Sequence, residues 1–108
     1  MPGGRASPAD GWSRTYLSSY EDVFTAVLDS LEDIDFYLVE TDEVRGRVEA
    51  ASSASRGGDV MLLVDVDDRG TSVRVEVMAR DAAAQDDRAP TRMRAVVAEL
   101  LRNLDARL

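Results

Sequence analysis

A chain of 108 residues with 44% apolar and 31% charged side chains has enough Val, Leu and Ala to close one hydrophobic core and too little length for two. It contains no cysteine and no histidine, which removes disulfides, thiolate nucleophiles, Cys-based metal sites, and both the commonest general base and the commonest metal ligand. Its net charge of −8 repels phosphate backbones, so nucleic acid is not an expected partner.

Residues 1–11 (MPGGRASPADG) carry two Pro and three Gly among small polar residues, and read as a flexible lead-in to one domain over 12–108. They lack the apolar core of a signal peptide. Nothing later approaches the ~20 apolar residues of a spanning helix, so a cytoplasmic location without a membrane partner is expected. All 13 basic residues are arginine, a bias that salt adaptation and codon usage would explain equally well.

Trp12 to Leu17 alternates large and polar residues, which predicts a short strand with Trp12, Arg14 and Tyr16 on one side. Ser18 with Glu21 forms a capping box, and Tyr20, Val23, Phe24, Val27, Leu28 and Leu31 recur at helical spacing, predicting a helix over 19–33. Four strands should follow, over 36–41, 44–52, 59–67 and 71–80. In the last three, Val44, Gly46, Val48 and Ala50, then Val60, Leu62, Val64 and Val66, then Val73, Val75, Val77 and Ala79 alternate as core-facing positions. The connections are a polar turn at Thr41 to Glu43, a loop over Ser53 to Gly58, and a tight hairpin at Asp67 to Gly70 with Gly70 placed for positive φ. Pro90 opens a second helix running to about Arg107, with Met93, Val96, Val97, Leu100, Leu101 and Leu104 as its stripe.

The expected fold is therefore α+β and two-layered, an antiparallel sheet of four to five strands with two helices on one face, in the order β-α-β-β-β-β-α. Each helix has a single apolar stripe, and the sheet has one continuous apolar face to receive both. The run SYEDVFTAVLDSLEDIDFYL, the segment VRGRVEA, the two valine-alternating strands and the closing helix resemble small bacterial lipoprotein-type domains of unknown function, with the BamC-like helix-grip layout close to TATA-binding-protein folds. The resemblance rests on hydrophobic pattern with Phe24, Phe36 and Gly46, and implies an interaction or scaffolding module without catalysis. The absence of cysteine means it does not imply a lipid anchor.

Asp65, Asp67, Arg69, Gly70 and Glu76 match the spacing of a calcium loop, but an arginine at the fifth position and alternating flanks favour a plain hairpin, so no metal is expected. Arg56-Gly57-Gly58 is one copy of a nucleic-acid-type tripeptide in an acidic chain, and reads as loop. The carboxylates Asp33, Asp35, Glu40, Asp42 and Glu43 cluster in and after the turn from the first helix to the next strand without any sign of burial, so neither catalysis nor a cofactor is expected.

The face away from the helices should carry Arg45, Arg47 and Glu49, then Met61, Leu63 and Asp65, then Arg74, Glu76, Met78 and Arg80. Met61, Leu63 and Met78 would form an apolar island rimmed by charge, the arrangement of a protein-binding or homodimer surface. The leading candidates for that interface are Met61, Leu63, Met78, Arg45, Arg47, Arg74 and Glu76. A non-catalytic module that self-associates through this face is the main expectation. A small apolar ligand held between helices and sheet, lined by Trp12, Tyr16, Phe24 or Tyr37, is the lesser one.

Overall fold

The computed structural model describes residues 12–53, 60–81 and 89–108. The lead-in over 1–11, most of the loop over 53–58 with its Arg56-Gly57-Gly58, and the Ala- and Asp-rich stretch before the second helix lie outside the described residues. The elements run β1 (Trp12–Tyr16), α1 (Tyr20–Asp33), β2 (Phe36–Asp42), β3 (Arg47–Ser52), β4 (Val60–Asp68), β5 (Val73–Asp81) and α2 (Ala89–Arg107). The fold is α+β, with one five-stranded antiparallel sheet in the order β1-β5-β4-β3-β2.

α1 carries the chain from one edge of the sheet to the other, and β2 to β5 then return as a meander until β5 pairs with β1. Directly paired residues point to the same side of a pleated sheet. Val48, Ala50, Leu62, Val64, Val75 and Val77 therefore share one face, and all are fully buried. Val23, Val27 and Leu31 of α1 and Val97, Leu100 and Leu104 of α2 are buried in the same core. α1 packs on β2 and β4, and α2 packs on β5 and on α1. Both helices thus cover one side of the sheet.

Ser19, not Ser18, caps α1: its Oγ accepts from the Asp22 N–H at 3.1 Å, three residues on. At the other end Asp35 takes a left-handed φ of 68°, the position where glycine is usual. Ser53 donates its hydroxyl to Asp35 Oδ2 at 2.8 Å and its N–H to the Asp35 carbonyl at 3.2 Å, so the end of β3 holds this turn from outside the helix.

The β2–β3 connection departs from the sequence expectation. β3 begins at Arg47, Glu43 to Gly46 form a turn, and Val44, expected to face the core, is 97% exposed. Gly46 explains the change. Its φ is +73°, its N–H donates to the Asp42 carbonyl at 2.8 Å, and its carbonyl accepts from the Val66 N–H at 2.6 Å. The strand alternation cannot run backwards through a left-handed residue, so the phase that buries Val48 does not extend to Val44. The Tyr20 hydroxyl donates to the Glu43 carbonyl at 2.5 Å, tying the start of α1 to the same turn. Its ring stacks on Phe24 with centroids 5.8 Å apart.

A side chain at Gly46 would strike the Val66 carbonyl oxygen, whereas one at Gly70, also at positive φ (+89°), would meet open space. The two glycines therefore separate backbone strain from collision. Gly70→Ala should cost about 1–2 kcal/mol, the ordinary penalty of a left-handed conformation. Gly46→Ala should cost at least about 3 kcal/mol, because the β3–β4 contact must also open. Equilibrium urea denaturation of the two variants tests this, and equal losses would refute it.

Candidate functional site: the open sheet face

The cross-strand register lays the uncovered face out in rows. Tyr37 on β2 pairs with Ala51 on β3, Ala51 with Met61 on β4, and Met61 with Arg80 on β5. The next row runs Glu40, Glu49, Leu63, Met78. A third row runs Asp42, Arg47, Asp65, Glu76, Ser13, and a fourth pairs Asp67 with Arg74 and Arg74 with Thr15. The apolar side chains thus gather in two rows at one end of the face, bordered there by Glu40, Glu49 and Arg80, and the other two rows are charged or polar.

Met61 and Leu63 are half-buried, while Met78 is 43% and Tyr37 57% exposed. Between the rims lies a shallow groove of about 400 Å³, lined by Glu40, Arg47, Glu49, Met61, Leu63 and Arg80 among others. In the third row Arg47 reaches Asp65 at 3.2 Å, and along β5 Arg74 reaches Glu76 at 3.6 Å. These are exposed pairs and individually weak.

Six of the seven residues singled out from sequence, Arg47, Met61, Leu63, Arg74, Glu76 and Met78, lie on this face. Arg45 does not. It sits in the β2–β3 turn and pairs with Asp42 at 3.8 Å, because the strand starts later than the alternation suggested. Tyr37 and Ala51 extend the apolar strip and were not singled out for it. Phe36 to Val39 is an unbroken apolar run without period-two contrast, and the bulge between Leu38 and Glu40 shifts the phase of β2. Only the pairing with Ala51 shows which way Tyr37 points.

The other candidate groups are dispersed. Phe24 is in the core and Trp12 and Tyr16 pack against it, but Tyr37 stands on the opposite side of the sheet, so the four aromatics share no lining. The residues of the calcium-like spacing lie on the β4–β5 hairpin, with Asp67 pairing to Arg69 at 2.8 Å and Asp65 to Arg47. Among the described residues no three acidic side chains are placed to hold a metal ion. Of the carboxylates at and after the end of α1, Asp33 pairs with Arg107, Asp35 accepts from Ser53, and Asp42 accepts from the Arg45 N–H.

No family model matches the chain, and no curated protein matches it. Among solved structures, the chain is similar to TTHA0849 from Thermus thermophilus, with 14% identity over 91% of this chain and 94% of that one, at a TM-score of 0.49. It is also similar to a DUF4468 family protein from Bacteroides ovatus, with 15% identity over 95% and 82% of the respective chains, at a TM-score of 0.43. Neither is described as a lipoprotein, and the resemblance to BamC-like domains finds no support among them. Among the described residues no helix is long and apolar enough to cross a membrane.

One titratable cluster closes the covered side. The Tyr16 hydroxyl donates to Asp105 Oδ1 at 2.7 Å and Arg14 lies 3.6 Å from Asp105 Oδ2, so edge strand β1 is bound to the last turns of α2. Burial, then the hydrogen bond and charge of Asp105, push the Tyr16 hydroxyl well above its ordinary value. A raised pKa favours the neutral phenol in the folded chain, so this contribution is complete below about pH 10 and is lost as the pH rises further. Chemical denaturation followed from about pH 8 to 11 should show stability falling at the alkaline end, with a shallower fall in Tyr16→Phe. Equal slopes would show that Tyr16 is not the group responsible.

Proposed function

We propose that this chain is a non-catalytic interaction module that engages protein, a second copy of itself included, through the open face of its sheet. The observation that carries this reading is the apolar strip of Tyr37, Ala51, Met61, Leu63 and Met78, gathered on the side that neither helix covers. An apolar strip rimmed by charge has the anatomy of an interface, whereas a purely solvated sheet face alternates polar residues throughout. Size is adequate. Five strands about 4.8 Å apart, with the longest extending about 30 Å, give a flat patch of roughly 600 Å² before side-chain relief is counted. A standard interface buries about 800 Å² per partner.

Leu63 is the central test position, flanked by Glu49 on one side and Met78 on the other. Its side chain points away from the core, so a charge there does not threaten folding. Light scattering of the purified chain should show self-association, and Leu63→Arg should abolish it while leaving the thermal unfolding transition within a few degrees of wild type. Association indifferent to both Leu63→Arg and Met78→Arg would show that the sheet face is not the interface.

A further inference from the structure

The charges bordering the apolar strip are arranged asymmetrically, and the asymmetry specifies how a second copy would sit. On the β2–β3 flank, Glu40 and Glu49 are direct cross-strand partners, a like-charge juxtaposition that disfavours the isolated sheet. On the β5 flank, Arg80 stands opposite Met61, beside Met78. Among the described residues, Glu40, Glu49 and Arg80 have no ion pair. Arg47 and Arg74, by contrast, are already engaged with Asp65 and Glu76. The strip therefore has one uncompensated acidic flank and one uncompensated basic flank.

Resting on the sheet-face reading, we infer that the occupant is a second copy of this chain, stacked face to face about a two-fold axis that runs along the strands above β4. A rotation about that axis places β3 of one copy over β5 of the other. Arg80 of each then lies above Ala51 of its partner, and its long side chain reaches Glu49 one row away. The small side chain of Ala51 leaves the guanidinium room. Met61 and Leu63 meet their own counterparts along the axis, closing the apolar centre. An axis across the strands would instead lay β5 on β5 and β3 on β3, which keeps every Arg80 two strands away from the partner's Glu49 and stacks the basic flank on the basic flank and the acidic on the acidic. Charge alone discriminates between the two arrangements.

An isologous contact of this kind makes a definite exchange prediction, because each Arg80–Glu49 pair occurs twice per dimer. Glu49→Arg sets two arginines against each other twice, and Arg80→Glu does the same with two glutamates. Each variant alone should self-associate about tenfold or more weakly than wild type in sedimentation equilibrium. Mixed in equal amounts, they should form a heterodimer of near wild-type affinity, since one contact is then native and the other reversed. The double variant should recover self-association by the same pairing. Recovery also shows that neither substitution has unfolded the chain. If the mixture associates no better than either variant alone while Leu63→Arg still dissociates the wild type, the face is an interface but the two-fold is wrong. A wild-type chain that remains monomeric at the highest concentration it reaches overturns both readings.

Discussion

Because a pleated strand sends successive residues to opposite sides, β4 and β5 each have two faces to account for, and two helices with one apolar stripe apiece bury only one of them. Leu62, Val64, Val75 and Val77 are fully buried beneath Val27, Leu31, Val97, Leu100 and Leu104. Among the described residues, neither helix lies above the intervening residues of the same strands. Whatever the chain does at that surface, it does with Met61, Leu63 and Met78 on the outside, and with a core already complete without them.

The covered side is held in place at its ends as much as by its centre. At one corner Tyr20 and Gly46 bind the start of α1, the β2–β3 turn and β4 together through the Glu43 and Gly46 carbonyls. At another, Tyr16 and Arg14 bind the edge strand to Asp105 of α2. Arg107 adds contacts to Asp29 and Asp33 on α1. These ties fix where the helices lie, and so which face remains free. They are mostly exposed polar contacts, and their role is positional rather than a large share of stability.

The sequence makes the regular parts of this arrangement legible. Alternating valines in β4 and β5, and the 3.6-residue stripe of both helices, are periodic signals set by burial, and burial is what the structure preserves. What it conceals are the departures from period. A left-handed glycine ends the alternation before Val44, a one-residue shift moves the cap from Ser18 to Ser19, and a bulge at Val39 changes the phase of β2. The interface candidates divide along the same line. Met61, Leu63 and Met78 follow from alternation within a strand, whereas Tyr37, Ala51 and the opposition of Glu40 to Glu49 depend on which residue pairs with which across strands. Register is set by turns and bulges whose outcome no single strand contains. The resemblance to lipoprotein-type domains rested on the same periodic pattern, and the fold is as far as that pattern reaches.

The outer face of β4 and β5 is proposed to be covered when copies of the chain meet, and the methionine methyl groups report on it directly. Met61 and Met78 stand on that face, while Met93 lies on α2 on the far side of the molecule. If that face is where copies meet, the Met61 and Met78 signals of methyl-labelled protein should shift together as concentration is raised, with Met93 unchanged. Signals from Met61 and Met78 that stay fixed while the chain associates, or a shift confined to Met93, would contradict it.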